Sequence, residues 1–166
     1  MSRQNLVFSQ FNKLTEIAQR FSTPTYVYDK SVLLERIHIL TKALKIHAPQ
    51  TQLFFAEKAC SNIHILKIFN SLSIGLDVVS GGELFRAHKA GFTGNKIVFS
   101  GVGKTRNEIQ SALTYKNTGI KSINVESLPE LELIHSVAQK LGVKARVSFR
   151  VNPNVDAKTH PYISTG

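Results

Sequence analysis

Five short apolar runs recur along the chain from Leu53 onward, and each ends in polar or glycine residues before a helical pattern begins. The runs are LFFAE (53–57), GLDVV (75–79), KIVFS (96–100), SINVE (122–126) and ARVSFRV (145–151). Their starts lie roughly 22, 21, 26 and 23 residues apart, which is the length of one strand, one helix and two short loops. The spacing therefore predicts a series of βα units.

Consecutive βα units predict a parallel sheet, because each helix returns the chain to the same end of the sheet. An open doubly wound sheet and a closed eight-stranded barrel both accept such units, and the regular spacing favours the barrel. About five units are present, whereas a closed barrel needs eight strands and about 250 residues. We therefore expect an α/β fold that forms a partial (β/α)8 barrel of the TIM type, in a chain that looks unfinished.

Capping residues mark where two of the helices begin. Thr105 with Glu108 and Ser127 with Glu130 fit the capping box, in which the hydroxyl accepts from the amide three residues on and the glutamate reaches back. The second of these helices should stop at Gly142, because glycine suits the left-handed conformation at a helix end.

The chain before the first apolar run predicts one more helix and one short strand. Residues 31–46 carry an apolar helical stripe formed by Leu33, Ile37, Leu40 and Leu44. Residues 25–28, which follow Pro24, are aromatic and β-branched and predict a short strand. We therefore divide the chain into an N-terminal segment, residues 1–30, and a partial barrel domain, residues 31–166.

The composition is that of an ordinary globular protein, with 166 residues of which 42% are hydrophobic and 19% charged. A single cysteine, Cys60, cannot form an internal disulfide, so we expect a cytoplasmic protein. No apolar stretch approaches the ~20 residues that cross a bilayer. Residues 1–21 mix charged with apolar positions, which argues against a signal peptide. We therefore expect neither membrane insertion nor export.

The net charge of +10 raises the question of nucleic-acid binding. The basic residues are scattered along helical segments without a dense stripe or an interleaved aromatic platform, so we favour a solvated basic surface. None of the six histidines forms a close pair with metal-ligand spacing, and Cys60 lacks a CxxC partner. We therefore predict no nucleic-acid partner and no metal site.

Polar side chains at the carboxyl ends of parallel strands converge on one edge of the sheet, and this is where we expect chemistry. These residues are Lys58, Asp77, Ser80, Ser100, Glu126 and Arg150. Lys58 follows Phe54, Phe55 and Ala56, which could partly desolvate its amine and favour the neutral, nucleophilic form. From position alone, however, a lysine after a strand is more often a solvated loop residue.

Asp77 interrupts an apolar run, so its carboxylate needs a partner, and the neighbouring strand end carries Lys58. Structural pairing and catalysis are both open for this carboxylate. Ser80 and the two glycines that follow it begin a helix, where free amides could hold an anion or the glycines could simply allow a tight turn. Arg150 lies last on the polar face of its strand and could meet a carboxylate, a phosphate or solvent.

The segment GVGKT (101–105) is similar to the end of a phosphate-binding P-loop. The G-x-x-x-x-G-K-[ST] pattern requires a glycine at position 98, where this chain has Val98. The P-loop interpretation is therefore excluded.

Six stretches, taken in order, resemble the N-terminal part of the diaminopimelate decarboxylase family, within the alanine-racemase-like fold type of pyridoxal-phosphate enzymes. They are TPTYVYD (23–29), FFAEKACSN (54–62), GLDVVSGGEL (75–84), KIVFSGVGK (96–104), INVES (123–127) and RVNPNVDAKTHPYISTG (150–166). The last stretch resembles this family more than its ornithine and arginine decarboxylase relatives.

The resemblance implies that Lys58 forms the Schiff base with pyridoxal 5'-phosphate. It also implies that Asp77 and Arg150 bind the cofactor and that Glu83 is a further pocket candidate. Ser80 is another pocket candidate, from its position at the start of a helix. Glu57 departs from the family pattern, in which this position is often apolar. Alternation along the strand would point Glu57 toward the helix layer, where it would need a partner.

The implied reaction is decarboxylation of meso-diaminopimelate to L-lysine in lysine biosynthesis, with a small amino-acid substrate and a homodimeric enzyme. Family members are more than twice as long as this chain. Their later segments supply the histidine on the cofactor ring, the glycine-rich phosphate loop, the carboxylate at the pyridine nitrogen and a C-terminal β-domain. We therefore expect the chain alone to be inactive. The alternatives are a related decarboxylase or racemase of this cofactor class, and a non-catalytic remnant or regulatory half-barrel.

Overall fold

The computed structural model describes residues 11–153. The chain divides into two compact units, Met1–Thr51 and Gln52–Gly166. The boundary that we predict after residue 30 falls at the start of a helix inside the first unit. No helix within the described range is both long enough and apolar enough to span a membrane.

The first unit contains two helices, α1 (Phe11–Phe21) and α2 (Lys30–His47). The α2 helix begins at Asp29, whose carboxylate accepts a 2.8 Å hydrogen bond from the amide of Ser31. The helix predicted over 31–46 is confirmed. The strand predicted over 25–28 is wrong, because these residues have irregular backbone and exposed side chains. Aromatic and β-branched composition favours a strand only where a neighbouring strand takes up its backbone hydrogen bonds.

The second unit alternates strands and helices in the predicted order. Its strands are β1 (Phe54–Ala56), β2 (Gly75–Val78), β3 (Ile97–Phe99), β4 (Ser122–Val125) and β5 (Val147–Phe149). Its helices are α3 (Ile63–Ser71), α4 (Gly81–Lys89), α5 (Arg106–Leu113) and α6 (Leu128–Leu141), with 3-10 turns at Glu57–Ala59, Gly94–Lys96 and Tyr115–Asn117. All five predicted runs therefore form strands, each shorter than its run.

The five strands form one parallel sheet in the order β1-β2-β3-β4-β5. A doubly wound sheet reverses its strand order at a switch point, whereas here each strand pairs with the next along the chain. This order is that of an arc of a (β/α)8 barrel, and it confirms the predicted partial barrel.

The register separates an apolar face from a polar face of the sheet. Phe55 pairs with Leu76 on the face that the helices cover, where the ring of Phe55 stacks on Phe69 of α3 at 4.2 Å between centroids. The buried strand residues of this face are Leu76, Val78, Ile97, Phe99, Ile123 and Val125. Ala56 pairs with Asp77 on the opposite face, which is only partly buried among the described residues. The alternation thus places the hydrophobic core on one face of the sheet and the candidate site residues on the other.

The helix ends confirm most of the predicted capping. Thr105 and Glu108 form the complete capping box at α5, and Gly142 ends α6 in the left-handed conformation with φ 64°. Ser127 accepts from the amide of Glu130, but the Glu130 carboxylate accepts from the amide of Glu126 at 2.7 Å instead of reaching Ser127. The capping box predicted there is therefore half formed.

Candidate active site at the carboxyl ends of the strands

Lys58 lies in the 3-10 turn Glu57–Ala59, which begins directly after β1. The turn closes with a 2.9 Å hydrogen bond from the amide of Cys60 to the carbonyl of Glu57. The side chain of Lys58 is exposed, so the partial desolvation expected from the residues before it is not found. The ring of Phe55 does not shield this amine, because it packs on the helix side of the sheet, away from the polar face. The amine of Lys58 is accessible to a ligand.

A row of three polar side chains crosses β2, β3 and β4 on the polar face. The Ser100 hydroxyl donates to Asp77 Oδ1 at 2.5 Å, and Asn124 Nδ2 donates to Ser100 Oγ at 2.8 Å. We call Asp77, Ser100 and Asn124 the polar row. Among residues 11–153, Asp77 forms no ion pair with Lys58, so the expected pairing is not present.

Asn124 is a member of this row that the sequence interpretation missed. The run SINVE could have indicated this position, because alternation along a strand puts Asn124 on the opposite face from the buried Ile123 and Val125. The hydrogen bond to Ser100 depends on the register of β3 against β4, which is not visible in either run alone.

Arg150 lies at the end of β5 and pairs with Glu126 at the end of β4. Its Nη1 lies 3.1 Å and 3.2 Å from the two carboxylate oxygens of Glu126. The Arg150 side chain is 54% exposed, whereas that of Glu126 is 11% exposed. Glu126 also accepts from the amide of Gly101 at 3.3 Å. Of the alternatives open for Arg150, the structure shows a carboxylate partner at the same edge of the sheet.

Ser80 and Glu83 shape the loop between β2 and α4. The Ser80 hydroxyl accepts from the amide of Glu83 at 3.2 Å, and the Glu83 carboxylate accepts from the amide of Val79 at 2.7 Å. Both side chains therefore hold the backbone that follows Asp77. Their predicted place in the cofactor pocket stays a prediction.

The glycine pair after Ser80 allows a close approach by another helix. The amide of Gly81 donates to Glu108 Oε1 at 2.6 Å, and a Cβ on Gly81 would lie 2.9 Å from Glu108 Cγ. The amides of Thr105 and Gly81 stabilise the charged carboxylate and lower the pKa of Glu108. The anion at the start of α4 is thus a carboxylate of the protein itself.

Lys104, the lysine of the P-loop-like segment, is buried and supports the loops between the strands and helices. Its ammonium donates to the carbonyls of Gly101 and Asn124 at 2.6 and 2.8 Å, and to Glu130 Oε1 at 2.9 Å. Lys104 therefore points into the protein and satisfies internal acceptors. This geometry agrees with the rejection of a phosphate loop here.

Glu57 is fully buried, on the helix side of the sheet. Among the described residues, neither carboxylate oxygen has a hydrogen-bond partner, so the partner that we expected is not found. Burial, with a smaller effect from Glu83, raises the pKa of Glu57 from 4.5 to about 8, and Arg86 opposes the shift. At neutral pH the side chain is therefore an uncharged carboxylic acid directly before Lys58.

The chain is similar to known proteins. Residues 33–166 match the family described as "Pyridoxal-dependent decarboxylase, pyridoxal binding domain". The diaminopimelate decarboxylase of Campylobacter jejuni is 51% identical over 151 residues, which is 91% of this chain and 36% of that protein. That of Aquifex aeolicus is 44% identical over 164 residues, which is 99% of this chain and 37% of that protein.

Solved structures show the same likeness in three dimensions. The crystal structure of diaminopimelate decarboxylase from Helicobacter pylori, complexed with L-lysine, has a TM-score of 0.82 and 45% identity, covering 91% of this chain and 37% of that one. The chain thus spans little more than a third of the length of the relatives that it matches. Most of the stretch 150–166, which carries the subfamily resemblance, lies outside the described residues.

Proposed function

Because this chain belongs to the pyridoxal-dependent decarboxylases, we propose that it forms the cofactor-binding part of an enzyme that converts meso-diaminopimelate to L-lysine. The observation that carries the proposal is the exposed amine of Lys58 at the carboxyl end of β1, on a sheet edge that also holds the polar row and Arg150. Relatives named as diaminopimelate decarboxylases, 44% to 51% identical to this chain, support the choice of substrate.

The described residues fit pyridoxal 5'-phosphate by their chemistry. The cofactor binds through an aldehyde, which requires an accessible primary amine, and Lys58 presents one. When bound, the cofactor supplies a conjugated ring that accepts the electron pair left by a departing carboxylate. Lys58 Nζ is the atom that would hold it.

The other residues of this edge would act through charge and position. The Asp77 carboxylate would offer a negative charge to a positive nitrogen on Lys58. Arg150, whose Nη1 contacts Glu126, would face the carboxylate or phosphate groups of the bound molecules. These roles are part of the proposal.

The whole enzyme's partner and location belong to the same proposal. We propose a cytoplasmic homodimer that acts on a small amino acid and binds neither nucleic acid nor membranes. Size-exclusion chromatography with light scattering tests the dimer, and a monomer with full activity would contradict it.

Release of carbon dioxide from defined amino acids tests the proposed reaction. The enzyme that contains this chain should decarboxylate meso-diaminopimelate in strong preference to ornithine or arginine, and Lys58→Ala should abolish turnover. Lys67→Ala is the matched control, because Lys67 is an exposed lysine on α3. Comparable turnover of ornithine would overturn the substrate, and racemisation without carbon dioxide release would favour the alternative reaction.

A further inference from the structure

We propose that Ser100 and Asn124 are positioning residues, which fix the direction of the Asp77 carboxylate beside the turn that carries Lys58. This inference rests on the proposed function, because it assigns a purpose to the polar row only if Lys58 holds the cofactor.

The backbone places the hydroxyl of Ser100 against Asp77. Ser100 follows β3 directly, and its amide donates to the carbonyl of Val78 at 2.8 Å, so the ladder between β2 and β3 extends to this residue. The side chain then meets Asp77 Oδ1 at 2.5 Å. A carboxylate held at one oxygen cannot rotate freely about its Cβ–Cγ bond, and the direction of its second oxygen is fixed as well.

Asn124 determines the orientation of the Ser100 hydroxyl. A serine hydroxyl has one hydrogen, and Ser100 gives it to Asp77, so Ser100 can only accept from the next residue in the row. Asn124 Nδ2 is the donor that fills this position, at 2.8 Å. Without this donor, the hydroxyl is no longer held from its far side and can rotate away from Asp77.

Buried groups hold the far end of the row. Lys104 Nζ donates to the backbone carbonyl of Asn124 at 2.8 Å and forms an ion pair with Glu130 at 2.9 Å. The side chain of Lys104 is 0% exposed and that of Glu130 is 8% exposed. The row is therefore anchored to a buried pair, whereas a surface hydrogen bond could exchange readily with water.

The register brings the near end of the row to the level of Lys58. Asp77 pairs with Ala56, which lies two residues before Lys58 on the neighbouring strand. A carboxylate that is already oriented stabilises a positive charge without having to reorganise first. We infer that the row prepares Asp77 to stabilise positive charge on the nitrogen of Lys58.

The decisive measurement is the pH dependence of the cofactor absorbance in the complete enzyme. Ser100→Ala should lower the pH midpoint at which the Lys58-bound chromophore loses its proton by about half to one unit, a change of roughly 3- to 10-fold in proton affinity. Ser100→Thr keeps the hydroxyl and should retain the normal midpoint. Asn124→Ala should shift the midpoint in the same direction by a smaller amount.

A double-mutant cycle separates positioning from general destabilisation. Asp77→Asn should lower the midpoint further, and adding Ser100→Ala to it should have no added effect, because Ser100 acts only through Asp77. Ser122→Ala is the control, since Ser122 lies on the same face of β4, two residues before Asn124. If Asp77→Asn does not retain the cofactor, the comparison of the Ser100 and Asn124 variants decides the question.

Two outcomes would overturn the inference. An unchanged midpoint in Ser100→Ala would show that the row does not act on Lys58, even if the variant is less stable. A shift as large in Ser122→Ala would show an effect unrelated to the row. Failure of the cofactor attachment that the proposed function requires is distinguishable, because the unsubstituted protein would then show no Lys58-bound chromophore at all.

Discussion

Replacement of Glu57 by glutamine should remove a large pH dependence from the stability of this fold. Glu57 is 0% exposed, its carboxylate has no hydrogen-bond partner among the described residues, and burial raises its pKa to about 8. The unfolded chain loses this proton near 4.5, whereas the folded chain keeps it until about pH 8. The folded state therefore binds more protons within this interval, and its stability decreases as pH rises.

The size of the effect follows from the two pKa values. Each pH unit between them costs about 1.4 kcal/mol of unfolding free energy. Between the two pKa values, 4.5 and about 8, the free energy of unfolding therefore falls by as much as about 5 kcal/mol. This stability is fully present below pH 4.5 and is lost by pH 8. This is a large fraction of the stability of a typical domain.

Urea denaturation of the enzyme that contains this chain, followed by far-UV circular dichroism at several pH values between 5 and 8, measures the effect. The glutamine variant should gain stability relative to the unsubstituted chain as pH rises, by about 1 kcal/mol or more per unit. Glu132→Gln, at an exposed position of α6, should not change the pH dependence. Parallel curves for the Glu57 variant and the unsubstituted chain would refute the reasoning.

Three further predictions concern Lys104, Gly81 and the chain expressed alone. Lys104→Met should lower the unfolding free energy by about 3 to 5 kcal/mol, because it leaves Glu130 as an uncompensated buried charge. In the same urea assay, the double variant with Glu130→Leu should recover much of this loss. Gly81→Ala should cost about 1 to 3 kcal/mol because its Cβ would lie 2.9 Å from Glu108, whereas Gly103→Ala has open space and should be nearly neutral. Residues 1–166 expressed alone should self-associate, because β1 and β5 are edge strands of the described sheet, and should release no carbon dioxide. Light scattering and a carbon dioxide assay test this, and a soluble monomer with steady turnover would contradict it.

The main elements of the fold could be predicted because they depend on local patterns. Apolar runs of strand length, separated by helical stripes and capping residues such as Thr105 and Glu108, define each βα unit without knowledge of its neighbours. The predicted strand over 25–28 was wrong because strand formation depends on pairing with a distant segment, which composition does not reveal. Local signals therefore predicted the helices and the central strands better than this isolated run.

The candidate site could be predicted only as a set of positions. The strand ends placed Lys58 and Asp77 on one edge, but the partner of Asp77 is Ser100, because the register of β2 against β3 decides which side chains meet. Alternation predicted the direction of Glu57 correctly. It could not show that, among residues 11–153, no donor reaches the carboxylate, since that depends on the packing of the helix layer.

The most direct test of the account is the site of covalent attachment of the cofactor. Borohydride reduction of the enzyme loaded with pyridoxal 5'-phosphate, followed by peptide mapping, should place the pyridoxyl label on Lys58, whose amine is exposed at the end of β1. Lys58→Ala should remove that label. A label on Lys67, or on the buried Lys104, with none on Lys58, would contradict the central claim.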